Sequence, residues 1–274
     1  MLKLAWFSTG RGPGSRHLLA TVQDEISAGR LDARIEVVFC NREPGQDAQT
    51  DQIFEQVRGY GLPLVYLSTL RCRREQDERP AKPGEPLPAW RRDFDREVVR
   101  LLEPYSFDLG VLAGYMLICT EILCARYDLL NLHPAAPDGP PGTWQEVIWH
   151  LMEQGLDHSG VRMHLATTEL DMGPPVTYCT YPIHGSVFNE MWREAEKRGV
   201  AAIKTEDGEE NALFQTIRRQ GVARESSLVV ETLRTFAEGR VRVRDKQVVD
   251  AQGRQVAGFD LTDEIERIVE RAST

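Results

Sequence analysis

The chain has 274 residues, enough for one large α/β domain, or a domain with an appendage, around a sizeable core. Hydrophobic residues make up 41% and charged residues 27%, ordinary globular usage that excludes global disorder and fibre. Acidic residues outnumber basic ones 42 to 33, and the net charge of -9 excludes a nucleic-acid binder that relies on overall charge.

No apolar run approaches the roughly 20 residues needed to span a bilayer. The N-terminal stretch MLKLAWFSTGRGPGS lacks the longer apolar region of a signal peptide. Cys40, Cys72, Cys119, Cys124 and Cys179 form no CxxC pair. An odd set of free thiols fits a reducing cytoplasm. No histidine lies near Cys119 and Cys124, so no metal is expected.

In chain order, residues 2–8 predict a first buried strand. The loop Thr9-Gly10-Arg11-Gly12-Pro13-Gly14-Ser15 follows. A helical pattern then carries Leu18, Leu19, Val22 and Ile26 on one face. Residues 35–40 (IEVVFC) predict a second strand, 52–60 a second amphipathic helix and 62–67 a third strand. The charged, proline-rich stretch 71–88 reads as a surface loop. Residues 91–102 predict a helix with Phe94, Val98, Val99 and Leu102 inward. Residues 107–113 and 129–132 predict the fourth and fifth strands. A helix beginning at Trp144 precedes two more strands at 161–166 and 176–181. Strands and helices alternating at this spacing predict βαβ units and right-handed crossovers. The fold class is α/β, a Rossmann-like, mostly parallel twisted sheet flanked by helices.

After residue 182 the pattern changes. Residues 184–205 are mixed. Residues 211–238 carry two helical patterns, 240–256 a hairpin turning at 250–253, and 261–271 a closing helix. The expected division is a catalytic domain over 1–182 and an extension over 183–274 packing on it. In the extension, Met191, Trp192 and Val200 form an amphipathic surface open to three readings: a dimer contact, a lid or plain packing. The expected state is a monomer or homodimer.

Gly10, Gly12 and Gly14 stand between a strand and a helix, where backbone N–H groups can approach an anion and the helix dipole favours it. Ser15 could cap that helix or donate to a phosphate. A tight turn needing positive φ is the simpler alternative. The dinucleotide pattern G-x-G-x-x-G is not met, and the acidic residue it requires after the second strand is replaced by Asn41 and Arg42.

The fifth strand runs into Asn131-Leu132-His133-Pro134. Two residues apart in extended chain, Asn131 and His133 point to the same side, at the carboxyl end of a strand, where open α/β sheets place ligands. Asp171 follows in Glu169-Leu170-Asp171-Met172-Gly173-Pro174, a loop setting that suits a functional carboxylate. Singly, each has a structural explanation: a hydrogen-bonded histidine, a turn-forming aspartate. As a set, an amide donor, an imidazole and a carboxylate point to chemistry at a carbonyl centre.

With these motifs the chain resembles the folate-dependent formyltransferase family, and within it most resembles the glycinamide ribonucleotide formyltransferases. The matching segments are the glycine loop, 38–42, 94–101, VLAGYMLI at 111–118, LNLHP at 130–134, HLATTELDMGP at 164–174 and 224–241. The resemblance implies Asn131, His133 and Asp171 as the catalytic trio, with a protonated His133, and His164 as auxiliary. It implies a phosphate and ribose site at Gly12, Pro13, Gly14, Ser15, Arg16 and Glu225. It implies a folate site at Met116, Leu117, Ile118, Cys119, Thr168, Glu169, Leu170 and Gly173. The implied co-substrate is 10-formyltetrahydrofolate, with a small amine as acceptor and no nucleic acid, membrane or metal. The chain departs from the family at Leu117, usually Arg; at 135–139, usually Ser-Leu-Leu-Pro; and at Arg162, usually small. An NADP-linked reductase and a non-catalytic folate- or nucleotide-binding protein are the alternatives from other classes.

Overall fold

The structure, a computed structural model, describes residues 1–76 and 86–272. Its main sheet has eight strands: β1 (Leu2–Ser8), β2 (Ala33–Cys40), β3 (Leu64–Tyr66), β4 (Leu109–Leu112), β5 (Leu129–His133), β6 (His158–Leu165), β7 (Pro175–Pro182) and, far along the chain, β10 (Phe259–Asp260). Their order is β10-β7-β6-β5-β4-β1-β2-β3. β6 runs antiparallel to both neighbours, and the other pairings are parallel.

β1 explains the apolar run at the start of the chain, because it is covered on both faces. Successive side chains alternate between the faces. Leu4 and Trp6 pack with Leu18, Leu19 and Val22 of α1 (Pro13–Ser27), with Val147 and Leu151 of α6 (Trp144–Gln154), and with Leu213, Phe214 and Leu228 of α9 (Ala212–Ala237). Ala5 and Phe7 pack with Phe94, Val98 and Leu102 of α4 (Trp90–Leu102) and Leu123 of α5 (Glu121–Arg126). Cys40 and Cys179 lie inside these layers, where burial pushes each thiol up to about 12.

Three local expectations need correction. The stretch read as a surface loop from residue 71 begins as a helix, α3 (Thr69–Glu75). The Ser68 hydroxyl accepts from the Arg71 amide and caps it, and its arginines are good helix formers without an apolar period. Residues 86–88 are without regular structure, as expected, and 77–85 lie outside the described residues. The two helical patterns of 211–238 are one helix of 26 residues, α9. Gly221 lies inside it, although glycine in a helix interior costs about 1 kcal/mol against Ala. Here it lets the helix approach β7, since an added Cβ would lie 3.0 Å from the Tyr181 hydroxyl. The hairpin β8 (Val241–Arg244) and β9 (Gln247–Asp250) turns at Asp245 and Lys246, with φ of 50° and 61°, the left-handed pair a tight hairpin requires. The expected turn at 250–253 is a second reversal, leading to a bridge between Val249 and Gln255.

The C-terminal segment returns to the sheet. β10 extends the edge beside β7, and α10 (Thr262–Ala272) closes the chain. In 183–211, α7 (Asn189–Arg198) and α8 (Val200–Glu206) bury Trp192, Ala195 and Ile203, and Met191 and Val200 pack on the same core. The amphipathic surface read there is covered by its own chain. No helix among the described residues is long and apolar enough to cross a membrane.

α9 is fastened by Phe214, fully buried, with ring centroids 4.6 Å from Trp149 and 5.8 Å from Trp144. Phe214→Ala is expected to cost about 3–5 kcal/mol in urea unfolding. A loss below about 1 kcal/mol would contradict this packing.

Candidate active site

β1, β4 and β5 lie side by side and parallel, with Phe7 opposite Leu112 and Leu112 opposite Asn131. The segments leaving their carboxyl ends therefore emerge together: the glycine loop, residues 113–119 and His133-Pro134. Pairing of β5 with β6 sets Asn131 across from His164, and His133 across from Arg162. Cross-strand partners share a face, so four polar side chains converge on one patch. Three of them, His133, His164 and Arg162, are 2%, 2% and 3% exposed.

Asp171 enters this patch from the loop after β6, itself only 8% exposed. Its φ is 54°, in the left-handed region that costs a non-glycine residue roughly 1–2 kcal/mol. Its Oδ1 accepts from Asn131 Nδ2 at 3.0 Å, and its Oδ2 accepts from the Gly142 amide at 3.1 Å. His133 Nδ1 stands 3.5 Å from Oδ2, and His164 Nε2 stands 3.5 Å from Oδ1. The expected trio and its auxiliary histidine are thus in one contact set. The Gly-Pro turn after Asp171 matters as well. A Cβ on Gly173 would fall 1.6 Å from the Leu165 carbonyl oxygen, so only glycine lets the loop return against β6.

The trio's donors are satisfied within the site. His133 Nε2–H donates to the Pro140 carbonyl at 2.8 Å. Asn131 Nδ2 serves Asp171 and also lies 3.1 Å from His164 Nε2, while His164 Nδ1 lies 3.0 Å from the Leu165 carbonyl. A proton arriving on His133 Nδ1 would face the Asp171 carboxylate. Burial nevertheless wins over that attraction and holds the His133 pKa below the ordinary 6.5. The protonated imidazole implied by the resemblance is not the state this enclosure favours. Asp171 sits below the usual carboxylate value. Its burial, the largest effect, would raise it, but the hydrogen bond from His164, the charge of His133 and the Gly142 amide together outweigh that.

At the glycine loop, Gly12 is the N-cap of α1 and Pro13 opens it, with no side chain capping the first turn. Ser15 is therefore not the cap; its hydroxyl donates to the Gly12 carbonyl at 2.9 Å. Gly12 and Gly14 border open space. Gly10, at φ 69°, packs so closely on α2 (Ala48–Gly59) that a Cβ would meet Ile53 at 2.7 Å. Arg16 is turned away, donating to Gln49 on α2 at 2.8 Å. Glu225, half-buried on α9, accepts from Arg218 at 2.6 Å, and the Arg218 guanidinium lies 4.6 Å from the Trp144 ring centroid. Met116 is exposed and Cys119 buried, with Leu117 and Ile118 between these extremes; the Ile118 carbonyl accepts from Arg91 at 3.1 Å. Thr168, Glu169 and Leu170 are exposed, and Gly173 is buried.

In the sequence, Arg162 stands out only as a departure from the family. In the structure its guanidinium donates to the carbonyls of Ala136, Pro137 and Gly139 and, at 2.9 Å, of Asp171. The signal that could have found it is an arginine between the apolar Val161 and Met163 of a strand, two positions from His164, and so on the same face as it.

A mostly parallel α/β sheet thus gathers an amide, an imidazole and a carboxylate at its strand ends, a set suited to chemistry at a carbonyl centre. Residues 3–187 match the profile of the formyl transferase family, and the chain belongs to that family. It is similar to the phosphoribosylglycinamide formyltransferase of Dictyostelium discoideum, 26% identical over 175 residues, 60% of this chain and 78% of that protein. It is also similar to the enzyme of the same name from Escherichia coli, 33% identical over 95 residues, 34% of this chain and 44% of that protein. Among solved structures, the phosphoribosylglycinamide formyltransferase of Coxiella burnetii superposes with a TM-score of 0.65 at 20% identity, covering 94% of this chain and 98% of that one. A formyltetrahydrofolate deformylase from Pseudomonas syringae superposes with a TM-score of 0.58 at 22% identity, covering 91% and 65%.

The direction of the His133 shift fixes a pH dependence. A folded-state value below that of the unfolded chain means that the unfolded chain binds more protons, so stability rises with pH across that window and is lost on acidification. Asp171 adds a loss of the same sign at lower pH, as its folded carboxylate is forced to protonate. Between about pH 7 and about pH 5, the unfolding free energy of the wild type is expected to fall more than that of His133→Asn. Urea titrations at both pH values measure this; equal falls in the two proteins would contradict it.

Proposed function

We propose that the chain transfers the formyl group of 10-formyltetrahydrofolate to a small primary amine, with glycinamide ribonucleotide as the acceptor. The observation that carries this reading is the contact set of Asn131, His133 and Asp171 at the end of β5. The names of the relatives supply the acceptor, and the uncapped first turn of α1 at Gly12–Ser15 suits its phosphate. Glu225 serves the ribose once it is released from Arg218. The backbone of 116–119 and the loop 168–173 hold the folate, with the exposed Met116 and Leu170 giving apolar cover.

In this reaction the amine nitrogen attacks the formyl carbon, and the formyl oxygen takes the negative charge. The Asn131 amide and the His133 Nε2–H are the donors nearest to hand. Each exchanges an internal partner, Asp171 or Pro140, for that oxygen. Collapse of the intermediate breaks the bond to N10 of the folate, which gains a proton as the attacking nitrogen loses one. The Asp171 carboxylate, held ionised and facing His133 Nδ1 at 3.5 Å, relays that proton. The partners are small molecules, and the chain acts in the cytoplasm.

The test is an acceptor screen. Tetrahydrofolate is expected to form from 10-formyltetrahydrofolate only with the amine present. His133→Ala is expected to slow this roughly a hundredfold or more with the fold intact. Equal turnover without any amine would point instead to hydrolysis, the activity named for the Pseudomonas syringae neighbour. Unchanged turnover in His133→Ala would remove the assignment.

A further inference from the structure

We propose that Arg162 is a positioning residue of this site, a buried fork that locks the 134–142 loop and Asp171 into one catalytic arrangement. The proposal rests on the formyl-transfer reading above. Its starting point is an imbalance of backbone groups. The loop contains Pro134, Pro137, Pro140 and Pro141, none of which has an N–H to donate. Its carbonyls are thus in excess of its own donors, and a buried carbonyl without a partner is costly. Arg162 Nη1 supplies the Ala136, Pro137 and Gly139 carbonyls, the last two at 3.2 and 3.4 Å.

The other arm of the same planar group holds the Asp171 carbonyl at 2.9 Å. That peptide belongs to a residue in the left-handed region, where an L-residue stays only if its surroundings fix it. The two tethered segments are the two that touch the trio. The loop provides the Pro140 carbonyl to His133 Nε2 and the Gly142 amide to Asp171 Oδ2. Asp171 provides the carboxylate to Asn131 and His133. One guanidinium therefore sets the distance between them. Lysine, a point charge without a planar fork, cannot span both. Arg162 makes no side-chain ion pair among the described residues and spends its donors on carbonyls, which suits alignment better than charge neutralisation.

The charged and titratable groups facing His133 are Asp171, His164 and Arg162; those facing Arg162 are Asp171 and Asp138. With the cation gone, one group that disfavours a proton on His133 is gone too. Two variants test the proposal in the full-length chain. Arg162→Met fills most of the space and removes every donor. It is expected to raise the His133 titration midpoint, followed by imidazole NMR, and to lower kcat by roughly tenfold to a hundredfold, as a small misplacement of catalytic groups does. KM for the folate is expected to stay within about twofold. Arg162→Lys keeps the charge and loses the fork: kcat is expected to fall about tenfold with the His133 midpoint unmoved. The lysine variant decides the matter if the methionine variant does not fold. The NMR readout needs no acceptor, so it stands apart from failure of the proposed function, which would leave the wild type itself without transfer. A wild-type kcat in Arg162→Lys, or an unmoved His133 midpoint in a folded Arg162→Met, would overturn the proposal.

Discussion

A buried carboxylate on a left-handed residue is the constraint on which the rest of the site depends. Asp171 combines two unfavourable conditions, a backbone conformation that L-residues avoid and a charge removed from water. It persists because every direction around it is occupied. Asn131 and the Gly142 amide hold the carboxylate, Arg162 holds the carbonyl, and the absence of a Cβ at Gly173 lets the chain close against Leu165. The main sheet exists, in this respect, to deliver β5 and β6 as neighbours in the register that brings those groups together.

The reversal of β6 has a direct chemical consequence. In an all-parallel sheet the strand after β5 would bring its amino end elsewhere and its carboxyl end to the site. Running antiparallel, β6 instead places Arg162 and His164 beside His133 and Asn131, and its loop reaches Asp171 within six residues of Leu165. The irregularity between Met163 and His164 in the pairing with β7 lies at the same point, where a bulge re-aims side chains. The result is a site whose donors satisfy one another before substrate arrives. On the proposed reading, binding is an exchange of hydrogen bonds rather than the filling of an open oxyanion hole, and the exchange is cheap only if the surrounding frame stays fixed. The prolines of the 134–142 loop and the Arg162 fork are that frame.

Much of this was legible in the sequence where local physics decides. The apolar run of β1, the helical faces of α1 and α4, and the two-residue spacing of Asn131 and His133 follow from period and alternation. Asp171 before Gly-Pro was legible as a loop carboxylate, though not its left-handed backbone. Where tertiary contact decides, sequence reading failed. The two helical patterns of 211–238 join into one helix whose Gly221 accommodates the Tyr181 hydroxyl, and the turn at Asp245-Lys246 lacks the glycine that usually marks such a pair. Charge attraction between Asp171 and His133 was foreseeable, whereas the burial that outweighs it depends on how tightly the proline loop closes. Arg162 was visible as an oddity, and its four carbonyl partners could be known only from the folded chain.

On the proposed reading, the Asp171 carboxylate, held in this frame, drives formyl transfer. The most direct test is single-turnover transfer of a 13C-formyl group from labelled 10-formyltetrahydrofolate to glycinamide ribonucleotide, comparing wild type with Asp171→Asn. The amide keeps the size and can still accept from Asn131 but carries no charge. The account predicts a transfer rate lower by roughly a hundredfold or more in Asp171→Asn, with folate binding retained. Transfer at the wild-type rate by a folded Asp171→Asn protein would contradict it.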